Sequence, residues 1–129
     1  MLRIWLFGVL RLEVDGVQVA PPSSRRARLL LAMLAVDRRP HSREALAARL
    51  WPNVLDKSAR ASLRTALMQL RAALGPNAGR FVHATLERVT LAGTDEVWVD
   101  VGEFERLLED VRMRMATCRR RLLCGATNC

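Results

Sequence analysis

Lys57, Arg60 and Arg64 follow one another at spacings of three and four, which on a helix sets them along one face. Basic side chains in that pattern suit a polyanion. An arginine fork can donate twice to the O6 and N7 edge of guanine, and an α-helix fits the major groove of B-DNA. Arg43 falls near the start of the preceding helix, a position suited to phosphate because helix-end amides also bind anions. The same four side chains would also serve as an ordinary solvated face, and composition alone leaves both readings open.

Catalysis has little to work with. The two histidines, His41 and His83, belong to different segments and join no triad or metal-binding pattern, so each reads as structural or solvent-facing. No glycine-rich phosphate loop or dinucleotide fingerprint occurs. Cys118, Cys124 and Cys129 crowd the last twelve residues in odd number and without zinc spacing, and are expected to be reduced and incidental. The expectation is therefore a protein that is not an enzyme, with no catalytic residue, metal or cofactor.

Charge is unevenly distributed over the 129 residues, whose net value is +8. Residues 21–60 carry nine basic against three acidic side chains, and 61–80 add three arginines and no acid. Residues 81–111 reverse the balance with eight acids against two arginines, and 112–129 carry five arginines. A basic middle section is a footprint for nucleic acid, although a single lysine and no tyrosine also indicate compositional bias. The acids of 87–110 read as a solvated helical face. The opening residues lack the apolar run and cleavage site of a secretory signal, and no stretch reaches membrane-spanning length, so a cytoplasmic protein without membrane contact is expected.

The elements that would position these residues follow from periodicity. Alternation over residues 2–20, broken by Asp15-Gly16 and stopped by Pro21-Pro22, predicts a small antiparallel sheet. A helix is expected from Ser23 or Ser24 to Val36, with Ala27, Leu30, Leu31 and Leu34 buried. Arginines in its opening turns oppose the helix dipole and need another reason to be there. Ser42 caps a second helix ending at Leu50, and Trp51-Pro52 closes the corner, with Trp51 as a core anchor. The third helix runs from Asp56 to Leu74 on a core seam of Ala59, Leu63, Leu67, Leu70 and Leu74, and Gly75 ends it. Two strands around Phe81–Ala84 and Val89–Leu91 turn near Thr85-Leu86-Glu87, and Val97 and Val99 form a further short strand. A last helix starts at Asp100 with a capping box to Glu103 and ends near Met115, its apolar stripe being Phe104, Leu107, Leu108, Val111 and Met115. The order is sheet, three helices, hairpin, helix: an α+β fold of the winged helix-turn-helix kind.

Residues 2 to about 108 resemble the N-terminal portion of the Streptomyces antibiotic regulatory protein (SARP) family, whose DNA-binding domain is of the OmpR/PhoB type. The resembling stretches are Leu6-Phe7-Gly8, Asp15-Gly16, Arg28 to Leu34, Ser42 to Pro52, Ala59 to Arg64, Leu70 to Gly75, and Asp100 with Phe104. The resemblance implies that the third helix enters the major groove and the hairpin forms a wing near the minor groove. Asn53, Val54, Leu55 and Asp56 would then form a loop facing RNA polymerase. It implies binding of promoter direct repeats by side-by-side copies, hence self-association on DNA, and action on transcription initiation.

Two departures qualify it. The wing has Glu87-Arg88-Val89 where the family has glycines and an aromatic residue, leaving Arg80 and Arg88 as the wing-side cations. The all-helical activation domain that usually follows is represented only by its first helix. The expected organisation is a winged-helix domain over 1–99, the first helix of a truncated activation domain over 100–116, and a disordered basic, cysteine-containing tail over 117–129. The competing reading is a non-catalytic protein-interaction module, or a dominant-negative regulator that pairs with a full-length relative. RNA is less favoured, because the deep A-form groove does not accept a helix.

Overall fold

A computed structural model describes residues 1–123. Strand β1 (Leu2–Trp5) buries Leu2 and Ile4 and exposes Arg3, the period-two pattern of a strand with one face on a core. It pairs antiparallel with β2 (Arg11–Val14), which pairs in turn with β3 (Val17–Val19). The β2–β3 loop is Asp15-Gly16, with φ of +49° and +84°. A two-residue hairpin turn with both φ positive matches the twist of the flanking strands, and glycine takes the second position without steric cost.

Helix α1 (Arg25–Val36) is capped by Ser24, whose hydroxyl accepts from the Ala27 amide. After the break at 37–40, a two-residue strand β4 (His41–Ser42) leads directly into α2 (Arg43–Leu50), capped by Ser42 through the Ala45 amide at 3.1 Å. Helix α3 (Asp56–Leu74) buries Ala59, Leu63, Ala66, Leu67, Leu70 and Leu74, and ends at Gly75 with φ +86°. Strands β5 (Val82–Ala84) and β6 (Arg88–Leu91) form the hairpin, and β4 adds to it, giving the order β4-β6-β5. Strand β7 (Val97–Val99) precedes α4 (Asp100–Leu123).

The winged helix-turn-helix expectation holds, with four corrections of detail. The N-terminal sheet is mixed, in the order β3-β2-β1-β7, because β7 joins β1 in parallel with Leu2 opposite Val97 and Ile4 opposite Val99. Local alternation carries no information about a partner so distant in sequence. Trp51 is half-buried at the rim of the core. The Arg26 guanidinium donates to the carbonyl of Leu50 and lies 5.9 Å from the indole centroid. That contact gives this arginine of α1 its reason: it satisfies a carbonyl orphaned at the end of α2. No capping box forms on α4, since the Glu103 carboxylate pairs with Arg106 at 2.6 Å. Instead the Asp100 carboxylate reaches across to accept from the amides of Leu6, at 2.9 Å, and Phe7, at 3.0 Å. Finally, α4 continues helical through Leu123, so residues 117–123 do not form the expected disordered tail. Residues 124–129, with Cys124 and Cys129, lie outside the described residues.

The core is one apolar cluster shared by α1, α2, α3 and the inner faces of both sheets, and contains no buried polar side chain among the described residues. Arg38 ties the sheets together by donating to the carbonyls of Ala92 and, at 3.3 Å, Val97. His41 donates through Nε2 to the Asp37 carbonyl at 2.8 Å. Only the first turn of α4 meets the N-terminal sheet region, where Phe104 meets Phe7 edge-on at 5.7 Å between centroids. Every residue from Phe104 to Leu122 is exposed.

Candidate nucleic-acid interface

The buried seam of α3 fixes its rotation, so burial of Leu63 and Leu67 directs Arg60 and Arg64 outward. The N-terminus of α2 approaches the same face because α2 and α3 pack closely around the 51–55 corner. The hairpin supplies the third wall. Between them lies a groove of about 540 Å³ lined by Ser42, Arg43, Arg60, Arg64, Leu86 and Arg88, together with Glu44 and Glu87. Lys57 extends the basic surface toward the N-terminus of α3, sharing a shallow depression with Asp56, Arg60 and Arg64.

Five of the six basic residues singled out in the sequence thus come together: Lys57, Arg60, Arg64, Arg43 and Arg88. Arg43 also braces the wing, its Nε donating to the Thr85 carbonyl at 2.6 Å and its amide to the Glu87 carbonyl at 2.8 Å. Arg80 is not brought to the groove. Its guanidinium pairs with Glu96 at 2.9 Å and approaches Asp15 to 3.7 Å, while stacking 5.3 Å from the Phe81 ring centroid. The chain leaves α3 through a 3₁₀ turn (Ala78–Arg80) that aims this residue at the N-terminal sheet, a turn with no periodicity to reveal it.

Two groove residues, Glu44 and Leu86, were not assigned to the site from the sequence, whereas Glu87 was already placed at the wing. Glu44 lies 3.8 Å from Arg60. Glu87 enters the lining from the wing, and Leu86 at the wing tip is 95% exposed. An apolar residue inside a turn signal was the available clue for Leu86. Glu44, the one acid of α2, carried none, because its facing depends on the interhelical angle. The 53–56 segment is a turn leading into α3, with Val54 and Leu55 exposed and Asp56 as the first helical residue.

A groove bounded by the third helix, the N-terminus of the second and a β-hairpin is the architecture of a winged helix-turn-helix domain. Comparisons with family models and with curated proteins give no match. Among solved structures, the chain is similar to Mycobacterium tuberculosis EmbR in complex with a low affinity phosphopeptide, at 28% identity and a TM-score of 0.59. The match covers 74% of this chain and 26% of EmbR, so this chain corresponds to about a quarter of that protein. It is a structural match to a winged helix-turn-helix DNA-binding regulator domain of the SARP, OmpR/PhoB type. Domains of this class are non-catalytic. No described helix is long and apolar enough to cross a membrane.

Proposed function

We propose that the chain is a cytoplasmic, sequence-specific double-stranded DNA-binding transcriptional regulator. The observation that carries this reading is the convergence of Lys57, Arg60 and Arg64 with Arg43 and Arg88 around one groove. Helix α3 is about 28 Å long at 1.5 Å per residue, enough to lie across a major groove and leave its C-terminal half in the core. Its N-terminal turns present Arg60 and Arg64 to base edges, and Lys57 to flanking phosphate. The start of α2 faces the sugar-phosphate backbone, where the Glu44 amide, left free by the bonds of Arg43 and Ala45, favours an anion. The wing carries Arg88 and Leu86 toward the neighbouring minor groove, and Arg43 holds it there through the Thr85 carbonyl.

Glu44 and Glu87 give this surface its selectivity. A carboxylate in a basic groove weakens indiscriminate attachment to phosphate, while a cytosine amino group offers it a donor. In this reading the turn of Asn53, Val54, Leu55 and Asp56 meets RNA polymerase, and copies bind promoter direct repeats. The deciding experiment is a promoter-fragment shift assay with equally charged duplex RNA as competitor, repeated over a range of salt. Retention of a DNA complex whose affinity falls steeply with salt supports the reading. Displacement by RNA at moderate salt would overturn it.

A further inference from the structure

Helix α4 projects from the domain after its first turn, and an isolated helix depends on burial of an apolar face for most of its stability. Six of its exposed apolar residues fall in a strict alternation of four and three, Phe104, Leu108, Val111, Met115, Cys118 and Leu122, while the exposed Leu107 and Met113 lie off that line. That is a heptad seam of period 3.5, the repeat that keeps two supercoiled helices in register along their length. Phe104 and Val111 are each 50% exposed, and Leu122 is 77% exposed.

The charges select the orientation. Residues 100–111 carry five acids and one arginine, whereas 112–121 carry five arginines and no acid. A parallel pair would set acid beside acid and arginine beside arginine. An antiparallel pair sets each acidic half against a basic one.

We propose that α4 pairs with α4 of a second copy of this chain as an antiparallel coiled coil centred near Met113. In that register Phe104 faces Leu122 of the second copy, Leu108 faces Cys118, and Val111 faces Met115. Each layer therefore matches one core position with its complement, as antiparallel packing requires. Glu105 and Arg119 flank the seam on the same side and meet across it, twice by symmetry. Arg112 near the centre is partly neutralised within its own helix by Glu109 at 3.8 Å. The proposal is independent of DNA binding and is tested without DNA.

The test is sedimentation equilibrium of the full chain at micromolar concentration and low salt, followed by thiol cross-linking. The expected result is a dimer that weakens as salt rises, and that Leu108→Glu weakens by about tenfold or more. Leu108 lies on the exposed face, and circular dichroism and melting of the variant would check that the winged domain still folds. In a Cys124→Ser, Cys129→Ser background, a mild thiol oxidant should leave Cys118 uncoupled. Adding Leu108→Cys should give a covalent dimer between the new thiol and Cys118 of the second copy. A monomer, a dimer indifferent to Leu108→Glu, or a Cys118–Cys118 cross-link in the parent background would each overturn the proposal.

Discussion

The Arg60 guanidinium stands 3.8 Å from the Glu44 carboxylate, across the corner that joins α2 to α3. Both side chains are exposed, and such pairs contribute little to stability in water. The consequence falls on binding, because the acid occupies an arginine of the recognition surface. Glu44→Gln should tighten binding to random duplex DNA and steepen the slope of log affinity against log salt by about one. Fluorescence anisotropy across a salt series reads both quantities, and no change in either affinity or slope would remove Arg60 from the interface.

Arg64→Ala should cost about 1–3 kcal/mol at a cognate site and relax preference at one base position. Selection of bound sequences with the wild type and the variant measures the preference. Equal losses on cognate and random DNA would assign Arg64 to a phosphate.

Arg80→Ala separates the two groups of arginines. It should lower the melting temperature, since Glu96 and Asp15 lose a shared partner, and leave DNA affinity essentially unchanged. A loss of binding as large as that of Arg64→Ala, with melting unaltered, would put Arg80 back on the DNA.

Stability should respond to acid through three carboxylates, Asp15 exposed and Asp37 and Glu103 half-buried. Hydrogen bonding to Arg39 holds Asp37 well below its ordinary value of 3.8, the amino terminus lowers Asp15, and Arg106 lowers Glu103 from 4.5. A depressed folded-state pKa stabilises the fold above the unfolded value, and that contribution disappears as pH falls through the folded one. Melting temperature should therefore lose the carboxylates' contribution from about pH 4.5 downward, and Asp37→Asn should shallow the decline. A constant gap between wild type and Asp37→Asn from neutral pH to pH 2 would contradict that role for Asp37.

What the sequence made legible was whatever repeats over a short span. The α3 seam from Ala59 to Leu74, the Ser42 cap, Gly75 and the Asp15-Gly16 turn are written in neighbouring residues, and the structure has each in place. Of the two serines at which α1 was expected to start, Ser24 is the cap. What escaped was pairing at a distance: β4 on β6, β7 on β1, Arg26 on the end of α2, and Asp100 on the 6–7 amides. The site divides the same way. Helical phase brought Lys57, Arg60 and Arg64 together, but Arg80 ends a 3₁₀ turn that no period announces. The end of α4 was misplaced because an exposed stripe followed by arginines reads as a tail. A heptad carried on through Cys118 and Leu122 was the available signal against that reading.

The parallel pairing of β1 with β7 also sets an order of events in synthesis. Strand β1 is synthesised long before its partner, so its β7 edge stays free until Val97 to Val99 have emerged, and the contact closes nearly the whole domain into a loop. The α1–α3 cluster can form earlier from local contacts, but β1 keeps a bare backbone edge throughout that interval. Nascent chains stalled before Val97 should be those most readily captured by other strands, and release past Val99 is the step that locks both ends of the domain at once.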